Sequence, residues 1–387
     1  MKKILGRTSI ELNPIGLGTG DYFWNADISK KRKIEIIKFA VENGINFIDT
    51  AAEYGNGISE ELVREGLKGF NGKVYISTKF SPENNGFESI LKSCENSLKR
   101  LGVESIDIFQ LHWPNPSISI QETTKALNEL YKKGKIKTVG LCNCSLFEIE
   151  EFGKGLDNLL LASIQREYNI RERLVEVNGI LEFCENKSVS FFAYSPLDQG
   201  QNKLSKEQKK MISRLSNLYK LTKEQIFLSY LISSKQTSVI IRTTSKKHLV
   251  ENINVQNIKI APSDIKKIKE VFPISVINID INCIMVSENG NWNHNVYQSV
   301  EEAINNKYNF CPSPKDLSKT IKKMFEHFDK SVDLGYLIEN DLFKPVKLKK
   351  INDTTAKYKY ELIEGRIRYW AWVISNVNNK IPSYVVN

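Results

Sequence analysis

The stretch 45-INFIDTAAEYG-55 passes within a few residues from an apolar run, Ile45 to Ile48, to a carboxylate at Asp49 and a phenol at Tyr54. A short apolar run bounded by turn residues reads as a buried strand. The same form recurs along the chain at 15-IGLG-18, 74-VYISTKF-80, 106-IDIFQLHW-113, 138-TVGLCN-143, 162-ASIQREYN-169, 189-VSFFAYSPL-197 and 238-SVIIRTT-244. Helical periods lie between these runs. Phe87, Ile90, Leu91, Cys94, Leu98 and Leu101 form one such stripe, and Ile120, Thr124, Leu127, Leu130 and Tyr131 form another that stops at Gly134. Eight strands alternating with helices over roughly 250 residues predict an α/β fold, a closed parallel (β/α)8 TIM barrel with its site at the C-terminal strand ends.

That placement organises the polar residues. Asp49, Lys79, His112, Asn143, Gln165, Tyr194 and Arg242 fall at or near the ends of seven of the runs. One polar strand end is ordinary capping, whereas a repeat around the ring predicts a shared mouth. Asp49, Tyr54, Lys79 and His112 suit chemistry at a carbonyl. Free tyrosine, with a pKa of about 10, is a reluctant acid, and a lysine cation beside it favours the phenolate. A carboxylate behind the lysine keeps it charged. When hydride reaches the carbonyl carbon, the oxygen needs a proton from Tyr54, while a neutral His112 N–H holds it in place.

These residues, as they stand in 47-FIDTAAEYG-55, 76-ISTKF-80, 108-IFQLHWP-114, 140-GLCN-143, 165-QREYN-169, 193-AYSPL-197 and 248-HLVEN-252, closely resemble the aldo-keto reductase family. The N-terminal 5-LGRTSIELNPIGLGTG-20 resembles that family's hairpin plug and first strand. The resemblance covers residues 1–272 and implies a catalytic tetrad of Asp49, Tyr54, Lys79 and His112. It implies a nicotinamide cofactor lying across the mouth, NADPH in preference to NADH. Asn143 and Gln165 would hold the carboxamide, Tyr194 would stack on the ring, and Ser195 and Cys142 would border it. Arg242 and Thr243 would take the 2′-phosphate, and His248, Glu251 and Asn252 the adenine. The chain departs from the family pattern at Ile241 for a proline, His248 for an arginine and Cys142 for a serine.

Other motifs carry less. The run 16-GLGTG-20 lacks the strand–turn–helix context of a dinucleotide loop and reads as a strand-end turn. Cys142 and Cys144 have no second cluster, and His248, His294 and His327 are scattered, so no metal is expected. The pocket is expected to be open and aromatic, lined by Phe23, Trp24, Tyr54 and Trp113, and to suit aldehydes, ketones and sugar or nucleotide-linked carbonyls.

A chain of 387 residues suits a large domain with a smaller one, and 41% apolar with 26% charged residues is the balance of a folded globular protein. No apolar run is long enough to span a bilayer and the N-terminus lacks a secretory apolar core, which predicts no membrane association and a cytoplasmic location. The six cysteines show no regular spacing and read as reduced thiols. Of the +10 net charge, little lies late in the chain: residues 275–387 carry 15 basic and 13 acidic side chains, leaving 40 against 32 on residues 1–274. The later part is a poor candidate for a DNA groove.

Texture changes near Ile274. The segment 274-ISVINIDINCIMVS-287 reads as a strand pair, 317-LSKTIKKMFEHF-328 as a helix, 342-LFKPVKLKKI-351 as a strand, and 359-KYELIEGRIRYWAWVISNVNNKIPSYVV-386 as strand, turn, helix and strand. Pro345-Val346, Glu364-Gly365 and Gly365-Arg366-Ile367-Arg368 make residues 274–387 resemble the ParB/sulfiredoxin-like domain, a small α+β unit. The resemblance implies that Glu364, Gly365, Arg366 and Arg368 border a nucleotide such as CTP, ATP or ADP, and the alternative is a docking unit. The expected function is NAD(P)H-dependent reduction of an aldehyde or ketone. Two alternatives stand beside it: a redox sensor of little turnover, as in ion-channel β subunits of the reductase family, and a kinase- or nuclease-like activity of the second domain.

Overall fold

Strands form where short apolar runs can bury both faces. The computed structural model describes residues 2–20, 28–81, 86–115, 118–200, 204–274, 276–286, 346–352, 355–356, 358–364, 369, 373 and 380–386. A hairpin of β1 (Lys3–Ile4) and antiparallel β2 (Glu11–Leu12) precedes eight strands, β3 (Ile15–Gly18), β4 (Phe47–Asp49), β5 (Tyr75–Phe80), β6 (Ile106–Leu111), β7 (Ile136–Cys142), β8 (Leu161–Glu167), β9 (Ser190–Tyr194) and β10 (Thr237–Ile241). These eight close into a parallel barrel in sequence order, with β10 bonded back to β3. All eight C-terminal ends therefore open at one face.

Helices alternate with the strands: α1 (Lys30–Glu42), α2 (Ile58–Leu67), α3 (Phe87–Leu101), α4 (Ile120–Lys132), α5 (Leu146–Lys154), α6 (Ile180–Lys187), α7 (Lys206–Tyr219), α8 (Lys223–Ile232), α9 (Lys246–Asn254) and α10 (Pro262–Val271). Their limits follow local chemistry. Reciprocal capping boxes start α5 (Ser145 with Glu148), α7 (Ser205 with Gln208) and α8 (Thr222 with Gln225). At the other end of α3, Gly102 turns left-handed at φ 68° and its N–H closes on the Leu98 carbonyl.

Two apolar layers result. One lies between strands and helices and includes Ile36, Val63, Leu98, Leu127, Ile149 and Leu228. A second, inside the barrel, joins Phe47, Tyr75, Ile108, Ala162, Phe192 and Ile240 to Leu5 and Leu12 of the hairpin. The hairpin thus stoppers the amino-terminal end. Gly6 sits so close to Ala162 there that a Cβ would lie 2.8 Å from its carbonyl oxygen.

A polar knot fastens the barrel's later elements. Arg173 forks onto Glu176 with two bonds of 2.7 Å, and Tyr168 and Tyr230 each donate a hydroxyl to Glu176 Oε1 at 2.8 Å. Arg173 also donates to the Phe272 carbonyl at the end of α10. Burial pushes the Glu176 carboxyl up, but Arg173 and the two hydroxyls outweigh it and hold the group below the usual carboxylate range. Its stabilisation is therefore complete above that range and fades as pH falls through the lowered value. Glu176→Gln leaves the guanidinium buried without its counter-charge and should cost about 3 kcal/mol, read as a lower denaturation midpoint at neutral pH.

The chain divides into two compact units, the second built mainly from Ile274–Asn387. Its described part is a five-stranded mixed sheet of β11 (Val276–Asp280), β12 (Ile284–Met285), β13 (Val346–Lys350), β14 (Tyr360–Glu364) and β15 (Lys380–Val386), in the order β11-β15-β13-β14-β12. The strand pair expected over residues 274–287 is corrected here, because β11 and β12 do not bond to each other. A short turn at Ile281–Cys283, capped by Asp280, separates them. β11 then runs antiparallel to β15 over five register pairs, and β12 parallel to β14 over two. The segments 289–295, 317–328 and 342–345 lie outside the described residues.

Candidate active site

The inner apolar layer sets the positions of the polar groups. Side chains two residues apart on a strand share a face, so the face that buries Phe47, Tyr75, Ile108, Phe192 and Ile240 continues to Asp49, Ser77 with Lys79, Gln110 with His112, Tyr194 and Arg242. The lumen is apolar below and polar at the mouth.

Asp49, Lys79, Tyr54 and His112 come together there. The Lys79 side chain, 1% exposed, donates from Nζ to Asp49 Oδ2 at 2.6 Å and to the Thr50 carbonyl at 2.8 Å. The same ammonium lies 5.1 Å from the centroid of the Tyr54 ring. The His112 ring meets that phenol edge-on at 5.7 Å. Burial alone would drive Lys79 toward its neutral form, but the charge of Asp49 and the hydrogen bond to it reverse the effect and raise it above the ordinary lysine value. Lys79 is a permanent cation in a dry site.

Gln110, given no role from the sequence, is the hub of this layer. Fully buried, its Nε2 lies 3.2 Å from Asp49 Oδ1, 2.6 Å from Ser77 Oγ and 2.8 Å from Gln165 Oε1. Gln165 Nε2 in turn donates to Asp49 Oδ2 at 3.2 Å. Asp49 is therefore oriented by three donors from β5, β6 and β8. Gly140 on β7 leaves room for this network, since a Cβ there would come within 2.5 Å of Gln110 Oε1. Glu53 also lacked an assignment, and its Oε2 lies 2.7 Å from His112 Nδ1. The signal for Gln110 was available in the sequence, because it stands two residues before His112 and two after Ile108, on the lumen face of its strand.

The residues expected around a cofactor surround the same mouth. Tyr194 donates its hydroxyl to Asn143 Oδ1 at 2.9 Å, and Asn143 Nδ2 donates to the His112 carbonyl at 3.1 Å. Asn143 and Ser195 hold left-handed backbones at φ 59° and 49°, a conformation costly for residues other than glycine that clusters at functional sites. Cys142 is sealed against the lumen, and burial pushes its thiol up despite the pull of Lys79, so it is an unreactive neutral group. Beyond β10, Ser245 caps α9 by accepting from the His248 N–H, and the Thr243 hydroxyl accepts from the Ser245 N–H. The first turn of α9 has no acidic side chain and carries Lys246, Lys247 and His248, with Arg242 just upstream, which suits an anion at the helix N-terminus. Asn252 is buried on the same helix, and Glu251 pairs with Lys247 at 3.9 Å on its surface.

Some expected residues fall elsewhere. Phe23 and Trp24 of the expected lining, and Gly365, Arg366 and Arg368 of the second unit, lie outside the described residues, while Glu364 ends β14. No group of three or more potential metal ligands and no helix long and apolar enough to cross a membrane occurs among the described residues.

Known proteins resemble this chain in sequence and fold. The profile of the Aldo/keto reductase family matches residues 14–272. The methylglyoxal reductase YeaE of Escherichia coli is 27% identical over 261 residues, covering 66% of this chain and 90% of that protein. The NADH-specific methylglyoxal reductase of the same organism is 31% identical over 324 residues, covering 70% and 98%. Among solved structures, a thermostable aldo-keto reductase crystallised with the inhibitor epalrestat matches with a TM-score of 0.66 and 33% identity over 70% of this chain and 99% of its own. An aldo-keto reductase from Klebsiella pneumoniae in complex with NADPH matches at 0.65 and 26%, over 70% and 96%. The profile match runs the length of the closed barrel and takes in the Lys79–Asp49 ion pair at its mouth, and the chain belongs to the aldo/keto reductase family as an NAD(P)H-dependent oxidoreductase acting on carbonyls.

Proposed function

We propose that the barrel reduces small reactive aldehydes and ketones, methylglyoxal foremost, with NADPH, and that Asp49, Tyr54, Lys79 and His112 do the chemistry. The observation that carries this reading is the sealed Lys79–Asp49 pair set against the Tyr54 ring at the mouth of the barrel. Two relatives are methylglyoxal reductases by name, which supports the substrate class.

The reduced nicotinamide, when bound, supplies a hydride to the carbonyl carbon. This chain's residues handle the proton. As the C=O π bond breaks, the oxygen gains negative charge and takes the proton of the Tyr54 hydroxyl. The adjacent Lys79 cation stabilises the phenolate left behind, which regains its proton from solvent. Asp49 holds Lys79 in line, and Gln110 and Gln165 hold Asp49. His112 orients the carbonyl oxygen. Asn143 and Gln165 would hold the carboxamide, with Tyr194, Ser195 and Cys142 around the ring. Gln165 retains only part of its bonding capacity for that task, since Asp49 and Gln110 already engage both ends of its amide.

Arg242 and Thr243 at the start of α9 would take a 2′-phosphate, with His248, Glu251 and Asn252 on the adenine side. NADPH should therefore exceed NADH in kcat/KM by about tenfold or more, and Arg242→Ala should remove most of that margin by raising the KM for NADPH while leaving NADH unaffected. Initial rates with the two cofactors measure this directly. An unchanged ratio in the variant refutes the phosphate assignment.

The test of the function itself is a panel of methylglyoxal, other aldehydes and keto-sugars, followed by loss of reduced-nicotinamide absorbance. Inertness toward all of them, with tight NADPH binding, would leave the sensor reading in its place. For the second unit, the order of β14, helical residues at 369 and 373, and β15 fits the ParB/sulfiredoxin-like reading of residues 274–387, and the nucleotide at Glu364–Arg368 rests on the sequence motif alone.

A further inference from the structure

Tyr54 stands in a loop, residues 50–57, that belongs to no strand or helix. Where its ring lies is decided by how the two ends of that loop are held. At the incoming end the Ala52 N–H donates to the Lys79 carbonyl at 3.1 Å. At the outgoing end Gly55, Asn56 and Gly57, left-handed at φ 60°, 52° and 92°, turn the chain into α2. The first turn of α2 buries two polar side chains completely, Ser59 and Glu60. Ser59 donates its N–H to the Tyr54 carbonyl at 3.2 Å and its hydroxyl to the Thr19 carbonyl at 2.9 Å. Glu60 reaches across to two other elements. Its Oε1 accepts the Thr78 hydroxyl of β5 at 2.6 Å, and its Oε2 accepts Arg100 Nε of α3 at 2.5 Å.

Thr78 is the residue before Lys79, and successive side chains of a strand point to opposite faces. Thr78 therefore meets Glu60 behind the barrel wall while Lys79 meets the Tyr54 ring inside it. The contacts close a circuit from Tyr54 to the first turn of α2, through Glu60 to Thr78, and from Lys79 back to Tyr54. A buried carboxylate is costly unless its oxygens are bonded and a counter-charge stands beside it, and Glu60 has both. The Arg100 stem also lies across Gly57, where a Cβ would come within 2.4 Å of Cδ. We infer that Glu60 is a positioning residue for the proton transfer: bound to Thr78 and Arg100, it fixes α2 against β5 and so sets the reach between the Tyr54 phenol and the Lys79 ammonium. This rests on the proposed role of Tyr54 as the acid, and it places part of the machinery outside the mouth, among the helices.

The experiment measures methylglyoxal reduction by wild type, Thr78→Val, Glu60→Met and Glu60→Gln, each alone and combined with Tyr54→Phe. Thr78→Val keeps the shape of the side chain, cuts only the tie to β5 and leaves the Glu60–Arg100 pair in place. Glu60→Met cuts both ties, whereas Glu60→Gln can still accept from Arg100 and donate to the Thr78 oxygen. Rates are expressed per site that binds NADPH, counted by fluorescence titration, so that unfolded protein does not enter them. In the Tyr54 background kcat should fall about threefold in Thr78→Val and about tenfold or more in Glu60→Met, with the KM for NADPH within about twofold and Glu60→Gln restoring most of the rate. With Tyr54→Phe the same substitutions should cost nothing further, because residues that act through one group are not additive. If Glu60→Met does not fold, Thr78→Val decides alone. A wild-type kcat in Thr78→Val and Glu60→Met, or losses that multiply onto that of Tyr54→Phe, overturns the inference while a disabled Tyr54→Phe leaves the acid in place. A Tyr54→Phe protein with the wild-type rate would overturn both.

Discussion

Tyr54→Phe lowers kcat for carbonyl reduction by at least about a hundredfold and leaves the affinity for NADPH within about twofold of wild type. The substitution removes one oxygen and nothing else. The ring keeps its place 5.1 Å from the Lys79 ammonium and edge-on to His112, so the mouth retains its shape. What disappears is the only O–H in the proposed tetrad. Without it the oxygen receiving the hydride has no positioned acid and must wait for water, while the surfaces assigned to the cofactor, from Asn143 to α9, are untouched. Single-turnover rates and fluorescence titration of NADPH separate the two effects. A variant that retains more than about a tenth of the wild-type rate would remove Tyr54 from its role as acid.

Lys79→Met is expected to damage stability and activity together. Nζ is the cation paired with Asp49 at 2.6 Å, and both side chains are sealed from water. Removing it strands a carboxylate in the barrel at a cost of about 3–5 kcal/mol, lessened where the Gln110 and Gln165 amides still donate to Asp49. The double variant Lys79→Met, Asp49→Asn removes the stranded charge and should regain most of that stability in a denaturation titration, yet remain as inactive as Lys79→Met alone. Recovery of both would reduce the pair to a structural brace. Because Lys79 is raised above the ordinary lysine value in the folded chain, its contribution is complete at neutral pH. It declines only in alkaline solution, as pH climbs past the ordinary lysine range toward the raised one.

Much of the barrel was legible because two periodicities coincide in it. Apolar runs marked the strands, and the two-residue step carried each inner apolar side chain to a polar one at the mouth, from Phe47 to Asp49 and from Ile240 to Arg242. Contacts that join distant strands were less legible. Gln110 in 106-IDIFQLHW-113 carries no visible role in the run until β4, β5 and β8 bring Asp49, Ser77 and Gln165 to its amide. Glu53 acquires significance only when closure of the ring sets His112 beside it. In the second unit, adjacency in sequence suggested that β11 pairs with β12, whereas the five-residue ladder that β15 offers β11 lies a hundred positions away and carries no local mark.

The Leu5 and Leu12 stopper has a kinetic corollary. A vessel corked at its base fills and empties through its neck. If the nicotinamide seats as deep as Gln165 and the carbonyl settles above it at Tyr54, the alcohol has to depart before the spent dinucleotide can leave. Turnover should follow a compulsory sequence, and its slowest passage belongs to the guest that is first in and last out.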